Sequence, residues 1–108
     1  MINGKLAFKK GTSIQTISIN DLEAVVVKDY ICTLVLPNGK EEHCGESLKE
    51  MQTKLRDSFL KINRNTIVNS EKIDSIDNRN REVIMESGRK YKITVRRMKA
   101  VKDFLLKP

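Results

Sequence analysis

Short apolar runs separated by turn residues most constrain the fold of this chain. Residues 22–27 end in three consecutive valines, and a second apolar run covers residues 31–36. Short runs rich in β-branched residues are typical of strands, whereas helices usually need about ten residues or more. Pro37-Asn38-Gly39 then predicts a tight reversal, because Asn and Gly tolerate the positive φ angles of hairpin turns. The pattern therefore predicts adjacent antiparallel strands.

Strand patterns recur along the chain and are interrupted by two helical patterns. The further strands are predicted at residues 5–9, 13–18, 40–44, 59–62, 67–68, 73–76, 83–85 and 91–95, and the last two form a second hairpin around Ser87-Gly88. A helix of about ten residues is predicted after Ser47, which forms a capping box with Glu50. A closing helix is predicted over residues 97–105. We expect a mainly β fold with one or two short helices, as a single domain over residues 1–108.

The cysteine content and the hydropathy pattern predict a cytoplasmic protein. No run of apolar residues in the sequence is long enough to span a membrane. Residues 1–10 lack the apolar core of a secretory signal peptide. Cys32 and Cys44 are too few for a disulfide scaffold, which fits a reducing compartment.

The positive charge lies in the second half of the chain. The 108 residues contain 21 basic and 14 acidic side chains, for a net charge of +7. Residues 1–53 carry 6 basic and 7 acidic residues, whereas residues 54–108 carry 15 basic and 7 acidic residues. Such polarisation is typical of a surface that binds a polyanion such as nucleic acid. The alternative is a solvated basic face without a partner.

The sequence offers no set of residues for catalysis or metal binding. His43 and Cys44 are neighbours on a predicted strand, so they point to opposite faces and cannot readily pair. We expect a half-buried His43 beside a packed Cys44. One histidine and two cysteines do not supply the ligands of a metal site. The scattered glycines form no phosphate-binding loop. We therefore expect no enzyme, no metal and no cofactor.

Residues 63–66 form a polar cluster between apolar anchors. Arg64 could pair with guanine and the flanking Asn63 and Asn65 with adenine in the major groove. Lys61 and Thr66 suit phosphate oxygens. The alternative is a polar connection whose asparagines cap their own backbone.

Two further groups could contact nucleic acid. One consists of five cations around the start of the closing helix: Lys90, Lys92, Arg96, Arg97 and Lys99. A cation is disfavoured by the dipole at a helix N-terminus, so these arginines favour a functional role. The other group, Lys28-Asp29-Tyr30, separates two strands and could form an exposed tip. Its local sequence slightly favours an ordinary turn whose tyrosine packs.

Residues 59–69, Phe-Leu-Lys-Ile-Asn-Arg-Asn-Thr-Ile-Val-Asn, resemble the signature of the LytTR DNA-binding domain, F-x-R-x-H-R-S-x-x-V-N. Ile73 and Ile76 follow where that family has an isoleucine-rich strand. Residues 94–97, Thr-Val-Arg-Arg, are similar to the family's terminal arginine element, and the resemblance spans residues 6–105. The family's His-Arg-Ser is Asn63-Arg64-Asn65 here, so the contacts made through the histidine must differ. Asn69 looks like a structural residue that ties a loop.

The resemblance implies an elongated arrangement of small antiparallel sheets that reads the major grooves of double-stranded DNA through loops. Family members are mostly output domains of bacterial two-component response regulators, and some stand alone. The expected base readers are Arg64, Arg96, Asn63, Asn65 and Tyr30, and the expected phosphate contacts are Lys28, Lys61, Arg97 and Lys99. Repeated half-sites and a homodimer on DNA are further expectations.

Two other functions stay open from the sequence. One is a protein-interaction module of the same family that binds DNA weakly. The other is a small RNA- or single-strand-binding β domain, which would stack bases on aromatic side chains. The chain has only five aromatic residues, and Phe8, Phe59 and Phe104 lie in apolar patterns that indicate core positions.

Overall fold

A computed structural model describes residues 4–108, and β-strands dominate this range. Its ten strands are β1 (Lys5–Lys10), β2 (Ser13–Ser18), β3 (Ala24–Lys28), β4 (Ile31–Val35), β5 (Glu41–Cys44), β6 (Phe59–Asn63), β7 (Thr66–Asn69), β8 (Ile73–Asp77), β9 (Glu82–Met85) and β10 (Lys90–Lys92). Its two helices are α1 (Leu48–Lys54) and α2 (Val95–Leu106). The mainly β fold expected from the sequence is confirmed.

The strands form three antiparallel sheets. β1 and β2 make a hairpin, β5-β4-β3-β7-β6 make a five-stranded sheet, and β10-β9-β8 make a three-stranded sheet. The reversals predicted around Gly39 and Gly88 are present, with φ angles of 89° and 93° that favour glycine. The molecule measures 43 × 31 × 24 Å, which agrees with the elongated shape that the resemblance implies.

The capping box at α1 is present as predicted. The Ser47 hydroxyl accepts a hydrogen bond from the Glu50 amide at 3.1 Å. The Glu50 carboxylate in turn accepts one from the Ser47 amide at 3.0 Å. Two orphan amides of the first turn are thereby satisfied, which fixes where the helix begins.

The segment between β10 and α2 differs from the prediction. The strand expected to reach Val95 ends at Lys92, and Val95 is instead the first residue of α2. The Ile93 amide still donates to the Arg81 carbonyl at 2.8 Å, in the register of β9 and β10, and the chain then departs because the Thr94 amide donates to the Ile62 carbonyl of β6 at 3.0 Å. The helix therefore begins earlier than expected, and Arg96 lies inside its first turn rather than before it.

The five-stranded sheet is covered on both faces. Val25 and Val26 are consecutive on β3, yet they belong to two separate apolar clusters. Val25 packs with Phe8 and Met51, on the side of the β1–β2 hairpin and α1. Val26 packs on the opposite side, with the three-stranded sheet and α2. This alternation follows from the two-residue period of a strand and explains why the valine run is apolar throughout.

Glu23, which is 1% exposed, joins the five-stranded sheet to the three-stranded sheet. Its carboxylate accepts hydrogen bonds from the Arg89 guanidinium at 2.7 Å, the Tyr91 hydroxyl at 2.8 Å and the Ser87 hydroxyl at 2.5 Å. Arg89 also donates to two carbonyls of the β4–β5 turn. Burial raises the pKa of Glu23, but these hydrogen bonds outweigh burial and leave the pKa below its usual value.

We predict that Glu23→Gln lowers the free energy of unfolding at neutral pH by about 2–3 kcal/mol, because Arg89 loses its counter-charge. A carboxyl whose pKa is lower in the folded state stabilises the fold above its unfolded pKa, and this stabilisation is lost as the pH falls through its folded pKa. The difference from wild type should therefore shrink in urea titrations at successively lower pH. The exposed Glu71→Gln serves as the control. A difference that is the same at every pH would contradict the role of the Glu23 charge.

Candidate nucleic-acid interface

Three segments converge at one end of the five-stranded sheet, which we call the basic end. It comprises the β3–β4 turn, the β6–β7 turn and the first turn of α2. The two turns lie together because β3 and β7 are antiparallel, and the Val27 amide donates to the Asn65 carbonyl at 2.8 Å. The start of α2 joins them because the Thr94 amide donates to the Ile62 carbonyl at 3.0 Å.

Residues of the β6–β7 turn and of the start of α2 line a groove of about 760 Å³. The described residues that line it include none that is acidic. Five of them are basic: Lys61, Arg64, Lys92, Arg96 and Arg97. A groove lined by one sign of charge concentrates ions of the opposite sign. The basic end is therefore suited to a polyanion.

Arg64 and Arg96 line this groove, and their side chains have no partner within residues 4–108. Within residues 4–108, the arginine side chains that form hydrogen bonds or ion pairs are those of Arg56, Arg89 and Arg97. Both Arg64 and Arg96 are exposed. Their guanidinium groups can therefore donate to an incoming ligand without giving up a contact within the protein.

Asn63 holds the β6–β7 turn in shape. Its side-chain nitrogen donates to the Lys92 carbonyl at 2.7 Å, and its side-chain oxygen accepts from the Asn65 amide at 2.8 Å. This is the backbone-capping role that the sequence left open for the asparagines of this turn. Asn65 takes part through its backbone amide, and the residue is exposed. Asn63 thus fixes the backbone on which Arg64 and Asn65 are presented.

Three of the four residues expected to hold phosphates already contact the protein. Lys28 pairs with Glu41 at 2.5 Å, and Lys99 pairs with Asp103 at 2.7 Å. The Asp103 carboxylate raises the pKa of Lys99. Arg97 is half-buried and donates to the Lys61 carbonyl at 3.4 Å. Exposed ion pairs contribute only about 0–1 kcal/mol, so a phosphate can displace either carboxylate.

Tyr30 is exposed to 102% of its reference area, more than the other exposed large apolar side chains of residues 4–108. The interpretation of this turn as one whose tyrosine packs is wrong. Asp29 and Tyr30 both adopt positive φ angles, 49° and 67°, as the two central residues of the tight turn between β3 and β4.

Lys92 belongs to the groove, although the sequence assigned it no individual contact. Its side chain lines the groove and its carbonyl anchors Asn63. The signal was present in the alternation of Lys90, Tyr91 and Lys92, which places both lysines on the solvent side of the strand. What the sequence could not show is that this strand lies beside the β6–β7 turn.

The other polar candidates lie apart from the basic groove. Cys44 is buried and lies opposite Cys32 in the ladder of β4 and β5. His43 is exposed on the edge strand β5, rather than half-buried as expected. In the described part of the chain, no cluster of three or more His, Cys, Asp or Glu residues could hold a metal ion. Neither helix of residues 4–108 is long and apolar enough to cross a membrane.

A family model, the LytTr DNA-binding domain, matches residues 12–106 of the sequence. The chain belongs to the LytTR family. The matched range includes the signature-like segment at residues 59–69, the β6–β7 turn within it and the first turn of α2. The resemblance noted from the sequence is thereby confirmed. LytTR is a family of DNA-binding domains and not a class of enzymes.

This LytTR domain shares its fold with a solved structure, a LytTr DNA-binding domain from Bacillus cereus. The two superpose with a TM-score of 0.79 over 97% of this chain and 99% of that chain, at 18% sequence identity. At this identity the match shows a common fold. No curated protein shows significant similarity to the sequence.

We predict that Asn63→Ala destabilises this LytTR domain by about 1–3 kcal/mol, because the Lys92 carbonyl and the Asn65 amide lose their partners. Asn65→Ala is the matched control and should change the free energy of unfolding by less than about 0.5 kcal/mol. Urea unfolding of the two variants checks both values. Equal losses would argue against Asn63 as the residue that holds the turn.

Proposed function

We propose that this LytTR domain is a sequence-specific, double-stranded DNA-binding regulator of transcription. It reads major grooves through its turns and the start of α2 rather than through a recognition helix. The observation that carries the proposal is the pair of arginines, Arg64 and Arg96, that have no side-chain partner within residues 4–108 and line one groove with other basic residues. Membership of a DNA-binding domain family supports the choice of DNA as the polyanion.

The proposed contacts divide into readers and clamps. Arginine is the best bidentate partner for guanine in the major groove, so Arg64 and Arg96 are the primary readers. The proposed assisting contacts to bases are Asn63, Asn65 and Tyr30, and the proposed contacts to phosphates are Lys28, Lys61, Arg97 and Lys99. Asn63 acts mainly by presenting its neighbours, because a direct base contact would require it to release one of its two hydrogen bonds.

The wider context of the proposal follows the family. Residues 1–108 act as one DNA-binding domain of a cytoplasmic bacterial protein, either as the output of a two-component response regulator or alone. The similar Bacillus cereus domain is named as part of a methyl-accepting/DNA response regulator. The DNA carries repeated half-sites, and the protein assembles on them as a dimer. Sedimentation with one-site and two-site duplexes tests the dimer. If the protein dimerises on DNA, it should bind the two-site duplex more tightly than two independent sites would.

The aromatic residues disfavour a single-strand-binding function. Phe8 and Phe59 are buried in the core. Phe104 and Tyr91 are half-buried, so Tyr30 is the one fully exposed aromatic side chain among residues 4–108. Proteins that bind single strands stack successive bases on several such side chains. Efficient competition by single-stranded oligonucleotides would revive this alternative, and a defined protein partner without DNA affinity would favour an interaction module.

We predict that Arg64→Ala weakens binding to a selected duplex by about 1–3 kcal/mol, mostly at one base step. The duplex would come from rounds of selection on a random pool, and binding would be measured by fluorescence anisotropy. Arg56→Ala is the matched control, because Arg56 is exposed at the other end of the five-stranded sheet. Equal losses of affinity for selected and random duplexes would show that Arg64 does not read a base.

We predict a different pattern for Lys99→Ala. A phosphate contact carries no sequence information, so the loss of affinity should be similar on selected and random duplexes. The slope of log Kd against log salt concentration should fall by about one, which corresponds to the loss of one phosphate contact. An unchanged salt slope would remove Lys99 from the interface.

A further inference from the structure

The turn between β8 and β9, residues 78–81, presents two exposed arginines, Arg79 and Arg81. We call it the arginine turn. Asp77 closes it: one carboxylate oxygen accepts from the Asn80 amide at 3.0 Å and the other from the Asn80 side-chain nitrogen at 2.8 Å. These hydrogen bonds lower the pKa of Asp77. The Asp77 carboxylate thus stabilises the arginine turn, while the two arginines project outward.

The backbone of the arginine turn is held in an uncommon conformation. Arg81 has a φ angle of 51°, in the left-handed region that a bulky residue rarely adopts. The contact that holds it is the hydrogen bond from the Ile93 amide to the Arg81 carbonyl, at 2.8 Å. The side-chain ammonium of Lys92 donates to the neighbouring Asn80 carbonyl at 3.0 Å. The turn is therefore fastened to the segment that leads into α2.

This fastening places the arginine turn beside the basic end. Ile93, which holds Arg81, is followed directly by Thr94, whose amide bonds to Ile62 at the end of β6. Lys92, which contacts Asn80, also lines the basic groove. The arginine turn therefore extends the basic surface past the start of α2, on the side of the three-stranded sheet.

The two arginines are free to bind a ligand. Like Arg64 and Arg96, neither Arg79 nor Arg81 forms a side-chain hydrogen bond or an ion pair within residues 4–108. Asn80, the neighbouring amide that could help to read a base, is occupied by Asp77. Two unpaired guanidinium groups on a rigid turn suit the regularly spaced oxygens of a phosphodiester backbone.

The dimensions of the molecule allow such a contact. Its long axis of 43 Å corresponds to about a dozen base pairs of duplex DNA at ~3.4 Å per step. A bound duplex of that length is longer than the groove, so its backbone can also reach elements that flank the readers.

We propose that Arg79 and Arg81 form an additional phosphate-binding element, which clamps the DNA backbone beside the stretch that Arg64 and Arg96 read. This inference rests on the proposed function. It adds a binding element on the three-stranded sheet, where the sequence indicated only a polar loop. The element contributes affinity and salt dependence and leaves base preference unchanged.

Ethylation interference on the selected duplex tests this element directly. Wild-type protein should be hindered by ethyl groups on a set of phosphates that includes some beyond the base pairs read by Arg64 and Arg96. With Arg79→Gln/Arg81→Gln, ethylation of those flanking phosphates should no longer matter, while interference elsewhere persists. The slope of log Kd against log salt should fall by about 1–2. Trimming the flank should weaken wild-type binding and leave the double variant unaffected.

Arg56→Gln is the matched control, because it removes an exposed arginine at the far end of the sheet and should leave the interference pattern intact. Arg79→Gln alone avoids the left-handed position of Arg81 and should show part of the same loss if the double variant folds poorly. Retention of every flanking phosphate contact by both variants overturns the proposal. An affinity loss that depends on the base sequence of the flank also overturns it, in favour of base reading.

Arg64→Ala distinguishes a failure of the arginine-turn proposal from a failure of the proposed function. If Arg64→Ala loses the preference at its base step while the arginine-turn variants retain that preference at lower affinity, both proposals stand. If Arg64→Ala has no effect on the selected duplex, the proposed function fails, whatever the flanking phosphates show.

Discussion

The buried carboxylate of Glu23 is the interaction on which the rest of the structure depends. It lies just before β3, the central strand of the five-stranded sheet, and accepts hydrogen bonds from three side chains of the β9–β10 hairpin. The hairpin leads directly into α2, whereas Arg64 belongs to the five-stranded sheet. A buried ion pair adds little net stability compared with apolar packing, but it tolerates few alternative arrangements. Glu23 therefore sets how the sheet that carries Arg64 meets the element that carries Arg96.

A second set of contacts joins the same two sheets at the basic end. The Asn63 side chain binds the Lys92 carbonyl, and the Thr94 amide binds the Ile62 carbonyl. Because Glu23 and Asn63 lie toward opposite ends of the five-stranded sheet, the sheets cannot easily rotate about either contact. Groups held in place before binding lose less conformational freedom when the ligand arrives. The groove between Arg64 and Arg96 is thus formed in advance by contacts outside it.

Local chemistry made much of the fold predictable from the sequence. The Ser47–Glu50 capping box and the reversals at Gly39 and Gly88 need only neighbouring residues, and all appear where the sequence predicts them. The start of α2 was misplaced because the Thr94 amide bonds to the Ile62 carbonyl of the other sheet, a contact between distant parts of the chain that neighbouring residues do not reveal. The site residues were found by type and motif. The hydrogen-bond partners of these residues could not be predicted. Whether an asparagine such as Asn63 caps its turn or faces solvent depends on how the three-stranded sheet packs against the five-stranded sheet.

The positive charge of the second half of the chain also does not show by itself where a binding surface lies. Arg89 contributes to the excess of positive charge, but it forms an ion pair with Glu23. Arg56 contributes as well, but it binds Asn20 at the end of the five-stranded sheet opposite the basic end. Tyr30, from the half without a positive excess, projects from the basic end. Folding therefore redistributes the cations, and their number along the chain does not locate a binding surface. Arg64 and Arg96 differ from Arg56, Arg89 and Arg97 because their side chains have no hydrogen-bond or ion-pair partner within residues 4–108. That property depends on three-dimensional contacts, and it brings Arg79 and Arg81 into the same class as Arg64 and Arg96.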